Sequence, residues 1–464
     1  MLLLPAALLV MHNAFAQKSR LVLSDNYPSA SEKINFTYSP AGTLLEGKKE
    51  VSAQVFFIDG KDFPAVDVDL KTKERMLEGG FTIPADAKAF FIKIFSDADI
   101  DNNNSNGFIY MVYKDRKPVA GAYESEAFVL NSEVGGRFAK IKADHDAAIA
   151  LYKQENEAYP GVVKLFDYNY YYLLGRNRDT VSRAILISKL KKLERNTSET
   201  ELHLAASISG WLGEKTSADS LNNLVKVKFP NGETMTNEEI YAILDEKITR
   251  KKDSLYKVFI SKYPDSKNSN LENIQAQIIV GYLEAGNIEA AEKYALLIKK
   301  KSTLAGCFND VAYEWATMGT NLGLAEKLSK RSVNIILENL KHPDSMPFYS
   351  PGAINQLYKD MYYNYSDSYA FILYLQKRYG EALKYQKGVY EYHKHNRPII
   401  EHYVLILNKL GKYAECKRVI ETFLKTNKSN DILYNELKIA YVGLNRSETG
   451  FNEYFNTASG QRIN

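Results

Sequence analysis

A ladder of compact side chains constrains this chain more than any other feature. Ala148, Ala184, Ala218, Ala291, Ala325, Ala382 and Cys416 stand 36, 34, 73, 34, 57 and 34 residues apart, and Lys252 divides the 73 into 34 and 39. A small residue returning at such intervals marks where two antiparallel helices cross, because a bulky side chain there would hold them beyond packing distance. Neighbouring positions keep the register. Tyr379 and Tyr413 are 34 apart, as are Glu381 and Glu415, just ahead of Ala382 and Cys416. Gly213, Gly286 and Gly411 stand where a helix must stop and the chain turn back. Tyr159-Pro160, Phe229-Pro230 and Tyr263-Pro264 punctuate the ends of helix pairs, since proline cannot continue a helix.

A period of 34 residues is that of tetratricopeptide (TPR) repeats. The pattern predicts an α-helical TPR-like solenoid over residues 140–456, interrupted by a loop near Lys228–Asn237 and by a proline-rich excursion, "LKHPDSMPFYSPGAINQ". Ahead of it, residues 18–131 carry short alternating runs, "KINFTYS", "SAQVFFI", "AFFIKIF", "GFIYMVY" and "EAFVL", separated by turn residues. These predict an antiparallel immunoglobulin-like β-sandwich, without a Cys-Trp-Cys core. Gly135 and Gly136 predict a linker over residues 132–139, and residues 457–464 read as a tail. The fold class is therefore multidomain β plus α.

Residues 1–16 read as a signal peptide, an apolar stretch ending in the small-x-small pattern Ala14-Phe15-Ala16, so the mature protein is expected in the periplasm or otherwise exported. No later segment reaches the run of about 18 apolar residues that a membrane span needs. Lys and Arg number 60 against 56 Asp and Glu, and the +4 balance is spread along the chain. Phosphate binding needs clustered cations on one face, so nucleic acid is not expected as a partner. Cys307 and Cys416 fall in different repeats, farther apart than the roughly 7 Å a disulfide spans; they read as unpaired core thiols.

Candidate chemistry is sparse. Asp97, Asp99 and Asp101 alternate as in a calcium loop, but Asn102 stands where glycine is needed and Phe108 where a bidentate Glu belongs, which favours a polar hairpin turn. His393, His395 and His402 read as exposed loop histidines in preference to a metal cluster. No nucleophile elbow or P-loop spacing occurs, and no catalytic, cofactor or metal residue is assigned. The chain holds 33 tyrosines. From the clusters "FDYNYYYLL" and "MYYNYSDSYAFILY", Tyr168, Tyr171, Tyr362 and Tyr365 are the candidates to line a partner groove, although such rings also fill inter-helix layers. The expected function is a non-catalytic scaffold that holds a protein or peptide in the TPR groove.

The stretches "FTIPADAKAFFIKI", "DNNNSNGFIYMVYKDRKPVAGA", "NDVAYEWA" and "SDSYAFILYLQKRYGEALKYQKGVYE" give the chain a further likeness. It resembles the N-terminal portion of exported bacterial thioredoxin-like proteins of the TlpA type, in which a β-sandwich and TPR-like helices precede a thioredoxin domain. That resemblance implies a place in a thiol-disulfide system. The redox-active W-C-x-x-C of such proteins has no counterpart here, and Trp211 and Trp315 lie inside helical repeats. The expectation is either a scaffold alone or part of a thiol-disulfide oxidoreductase whose thioredoxin domain is missing from this chain, with such a domain as a further possible partner.

Overall fold

The computed structural model describes residues 20–131, 133–193 and 198–459. The expected signal peptide, and residues 460–464 of the expected tail, lie outside the described residues. The chain divides into two compact units: one runs through Asn222 and includes Ser345–Gly352, and the other holds Asn223–Asp344 and the chain from Ala353.

The first unit opens with eleven strands among the described residues. They are β1 (Leu21–Leu23), β2 (Lys33–Tyr38), β3 (Ser52–Ile58), β4 (Ala65–Val68), β5 (Lys71–Lys73) and β6 (Met76–Thr82), followed by β7 (Ala89–Ser96), β8 (Asp99–Asp101), β9 (Phe108–Met111), β10 (Tyr113–Lys114) and β11 (Lys117–Pro118). One sheet has the order β1-β2-β6-β5 and a second β4-β3-β7-β8, with β9 also on β7; β10 and β11 pair separately, and all these pairings are antiparallel. Residues of both larger sheets meet in one core. Ile34, Phe36 and Phe81 lie with Phe57, Phe90 and Ile92, and the ring of Phe81 is 5.9 Å from that of Phe57 and 5.3 Å from that of Phe90.

Six helices complete this unit with the first part of a seventh: α1 (Ala122–Asn131), α2 (Glu133–Ala139), α3 (His145–Ala158), α4 (Asp167–Asn177), α5 (Thr180–Leu193), α6 (Glu199–Trp211) and α7 (Lys215–Lys228). Asp144 and Ser198 start α3 and α6 by accepting N–H groups that have no intrahelical partner. Phe56, Ile58 and Phe91 project to the opposite face of β3 and β7 and share a core with Ala127, Val129 and Ala139 of α1 and α2. Both faces of these strands are therefore covered.

This overturns two expectations. "EAFVL" is part of α1 instead of a last strand, because Ala127 and Val129 are needed on one helical stripe against the sheet. Residues 133–139 form α2 in place of a linker. Gly135 is there for contact: a Cβ on it would come within 2.6 Å of the Val129 carbonyl oxygen. Seven phenylalanines run through the unit in sequence of contact, Phe166–Phe128–Phe63–Phe348–Phe138–Phe56–Phe91, with centroid separations between 4.2 and 5.9 Å. Phe348 belongs to the proline-rich excursion. Its N–H donates to the Phe63 carbonyl at 2.7 Å, and Ser350 Oγ donates to Asp67 at 2.6 Å.

The second unit is helical among its described residues. After the end of α7 come α8 (Glu233–Asp245), α9 (Thr249–Lys262), α10 (Leu271–Glu284), α11 (Ile288–Ala295), α12 (Lys301–Thr317) and α13 (Leu322–Lys341). There follow α14 (Pro351–Leu375), α15 (Tyr379–Tyr392), α16 (Arg397–Lys409), α17 (Tyr413–Leu424), α18 (Asp431–Asn445) and α19 (Phe451–Ala458). The loop expected over 228–237 is shorter, since α8 begins at Glu233. Consecutive helices pack as pairs, and even-numbered ones also meet, α8 with α10, α10 with α12 and α16 with α18.

The ladder explains the pairing. Ala148 in α3, Ala218 in α7, Ala291 in α11, Ala325 in α13, Ala382 in α15 and Cys416 in α17 are all buried, each the fourth residue of an odd-numbered helix. Ala184 is exposed, contrary to expectation. Ser182, 34 residues after Ala148, is the buried small residue of α5, its hydroxyl tied to Asp179. Gly213, Gly286 and Gly411 stop α6, α10 and α16 at φ of 85°, 73° and 68°, the left-handed region that glycine enters without strain. At each the next residue's N–H reaches back five residues, as in a Schellman turn. Gly319 and Lys377 close α12 and α14 in the same way. No helix among the described residues is long and apolar enough to cross a membrane.

Candidate functional site

The four tyrosines singled out in the sequence are not brought together. Tyr168 and Tyr171 belong to the first unit, Tyr362 and Tyr365 to the second. Tyr168 is 50% exposed, its ring edge-on to Trp211. Tyr171 is buried among Leu173, Leu186 and Leu190, so it is a core residue and no groove candidate. Tyr362 is half-buried, packed edge-on to Tyr363 and against the cluster of Val333, Tyr369 and Leu373. Tyr365 is half-buried, its hydroxyl beside Gly306 of α12. Burial, then the nearby Asp310 and Cys307, pushes its hydroxyl up to about 12.

A groove of about 550 Å³ lies in the second unit across α9, α10 and α12. Two glycines lie in its wall. A Cβ on Gly306 would meet only the Tyr365 hydroxyl, at 3.5 Å, while Gly281 lets α10 pass so close to α9 that its Cβ would stand 2.1 Å from Thr249 Oγ1. At one end Lys252 is 6% exposed, an amine in the ladder position where other odd-numbered helices of this unit carry Ala or Cys. Its Nζ donates to the Leu244 carbonyl at the end of α8, 3.0 Å away, and to Gln277 Oε1 on α10. A cation placed on a terminal helix carbonyl is favourable. Burial nevertheless holds its pKa below the usual lysine value, with Lys247 adding to the effect.

The other end is acidic. Asp310 of α12 and Glu284 of α10 line the wall, and Glu314 follows Asp310 by one turn. Burial raises the pKa of the Asp310 carboxyl, and burial followed by repulsion from Glu314 raises that of Glu284. Cys307 also lines the groove, but its thiol is buried and pushed up to about 12. Cys416 is buried and raised likewise. Both cysteines are free. A thiol so far above neutral pH carries almost no thiolate, the form that attacks disulfides.

The histidines do not form a cluster. His402, expected in an exposed loop, lies on α16 with its Nδ1 2.9 Å from Asp367, stacked on Phe371 at 4.2 Å. Gln386 in turn donates to Asp367 at 2.6 Å, so a hydrogen-bonded network joins α14, α15 and α16. His395 is exposed, and among the described residues no group of three or more His, Cys, Asp and Glu could hold a metal ion. In the acidic run of the first unit, Asp97 lies in the turn between β7 and β8, and Asp99 and Asp101 lie on β8. Asp101 accepts the Tyr38 hydroxyl at 2.6 Å and the Asn103 N–H, and Asp99 pairs with Lys48 at 2.7 Å.

None of the four tyrosines lines this groove, and sequence reasoning missed Asp310, Glu284 and Gln277, which carry no motif. The one available signal was Lys252 itself, a long charged side chain where the period asks for a small one. No known family model matches this chain, and no curated protein matches it.

Proposed function

We propose that this protein is an exported, non-catalytic interaction scaffold: an immunoglobulin-like β-sandwich followed by a TPR-like helical solenoid that holds an extended protein segment against its even-numbered helices. The observation that carries the reading is the groove across α9, α10 and α12. Odd-numbered helices of the second unit bury their ladder residue where helices cross, whereas α9, α10 and α12 leave between them an open groove, with no side chain on Gly306 to obstruct a main chain. The raised thiols of Cys307 and Cys416 support a role without thiol chemistry of its own. The resemblance to TlpA-type proteins then assigns the scaffold to a thiol-disulfide system, with any redox step on a thioredoxin domain outside these residues. Export rests on the leader-like residues 1–16.

The test is affinity enrichment of a random library of short extended peptides on the immobilised chain, compared with Gly306→Trp, which fills the groove, and Tyr168→Ala, which lies outside it. Enrichment by the wild type and by Tyr168→Ala, lost in Gly306→Trp, is the expected result. Equal enrichment with the groove filled would refute the site.

A further inference from the structure

We propose that residues 159–166 form a strap over the Phe166 end of the phenylalanine row, latched by the buried carboxylates of Glu124 and Glu155, and that a proton taken up by this latch tightens it. The strap then holds in mild acid and loosens towards neutral pH.

The strap joins α3 to α4 without regular structure and is tied at both ends. The Tyr159 hydroxyl donates to the Pro118 carbonyl. Lys164 Nζ donates to the carbonyls of Tyr159 at 2.6 Å and Glu155 at 3.3 Å, crossing back to the end of α3. Glu124 of α1 accepts the Leu165 N–H on one oxygen at 3.1 Å and the Phe166 N–H on the other at 3.0 Å. The Leu165 side chain is seated so close to Gly60 that a Cβ there would come within 2.9 Å of it. Between these ties residues 160–163 are exposed, Val163 at 89%. Phe166 is buried and stacked on Phe128 at 4.2 Å, so lifting the strap uncovers aromatic surface.

The latch is short of one positive charge. Glu124 is 2% exposed and Glu155 1%, and both line one closed pocket with Tyr152, Lys164, Asp167 and Tyr170. Glu155 Oε1 accepts the Gly121 N–H at 2.9 Å and lies 3.7 Å from Lys164 Nζ, while its Oε2 is buried with no donor among the described residues. Glu124 has no cation of its own within ion-pair distance among those residues. Two buried carboxylates therefore share one ammonium, and keeping both ionised is costly. A proton on Glu124 removes that cost and still leaves lone pairs for both N–H groups. Burial raises the Glu124 pKa above the ordinary range; the two N–H groups oppose it, Glu155 adds to it and Lys164 opposes it. The neighbouring hydroxyls of Tyr152, Tyr159 and Tyr170 are all raised, by burial first, and stay protonated, and Asp167 is paired with Lys189 of α5 at 3.1 Å. Once the strap lifts, Glu124 meets water and titrates at about 4.3. The hold is thus complete below about 4.3 and weakens as pH rises through the raised folded value.

The test is hydrogen exchange of the Leu165 and Phe166 amides in the full chain from about pH 4 to about pH 8, corrected for the intrinsic pH dependence of exchange. Protection of both should fall as pH rises and then level off, while amides within α3 keep theirs. Glu155→Gln retains the oxygen for Gly121 and removes the repelling charge, so the fall should move to lower pH. Lys164→Met removes the neutralising charge, so it should move to higher pH. A strap held by packing alone would change its protection equally at every pH in both variants. Protection of the wild type that does not vary with pH, or an unmoved fall in Glu155→Gln, would overturn the inference. Displacement of both variants in the same direction would do so too. If Lys164→Met leaves the strap unprotected at every pH, the wild type and Glu155→Gln decide, with circular dichroism matching between them.

Discussion

Asp253 offers the sharpest test of what holds the groove-bearing helices together. It is 6% exposed on α9, and its carboxylate accepts the hydroxyls of Tyr282 on α10 and Tyr294 on α11, both buried, together with Lys257 Nζ at 2.9 Å. Asp253→Ala leaves two buried hydroxyls without an acceptor, each costing about 1–3 kcal/mol. The relief of an otherwise desolvated charge offsets part of that, and Lys257 is exposed enough to turn to water. The net loss should be about 3–5 kcal/mol, the range for breaking a buried charged contact from one side. Asp253→Asn keeps one acceptor of the same shape and should cost about 1–2 kcal/mol. Because two units need not unfold together, the assay is native-state hydrogen exchange of α9–α11 amides in the full chain. The pH dependence has two limbs. Burial pushes the Asp253 carboxyl up, but its donors outweigh burial and hold its pKa below the ordinary range. Its contribution is therefore complete above the unfolded value of about 4 and is lost as pH falls through the folded one. Tyr282 is pushed up to about 12 by burial and by Asp253, so its contribution is complete below about 10 and disappears as pH rises from there towards the folded value. A loss under about 0.5 kcal/mol for Asp253→Ala, the scale of an ordinary surface change, or equal damage from Asn and Ala, would refute the reasoning.

Three further outcomes follow from geometry. Lys377 closes α14 at φ 63°, where Gly319 and Gly411 serve the neighbouring helices, so Lys377→Gly should stabilise the second unit by about 0.5–1 kcal/mol in the same exchange assay. Phe348 lies half-buried between Phe63 and Phe138; Phe348→Ala should lower protection of β3 and β4 by about 2–3 kcal/mol, short of the cost of emptying a fully buried site. Cys307 and Cys416, buried and raised to about 12, should resist iodoacetamide at neutral pH in the native chain and react only in denaturant; fast native labelling would contradict their burial.

How far the fold was legible depends on which contacts repeat. The helical period was readable because each hairpin solves the same packing problem, and glycine and aromatic-proline stops return with it. It failed at Ala184, where α5 presents Ser182 instead and a hydroxyl tied to Asp179 does what a methyl does elsewhere. The strands were readable from β-rich runs, but their alternation was misread. In "VFFI" and "AFFI" there is no polar face at all, and such continuity is the mark of a strand covered on both sides. The second cover is α1, assembled from the very "EAFVL" that reads as a strand when its helical stripe has no visible partner.

The groove was less legible because no local pattern marks its lining. Gly281 and Gly306 resemble any helical glycine in sequence, and Asp310 and Glu284 resemble any solvated acid; only adjacency of α9, α10 and α12 makes them one wall. Lys252 is the exception. A lysine at a crossing position is costly unless its charge meets acceptors, and the crossing supplies two, a helix-terminal carbonyl and an amide oxygen. A structural lysine would need no more than that, which predicts that Lys252→Met, similar in length and free of the charge, preserves the fold at little cost. Because Lys252 also lines the groove that the scaffold reading gives to a peptide, the same substitution should weaken peptide binding while exchange protection of α8–α10 holds. Loss of both together would return Lys252 to a purely architectural role.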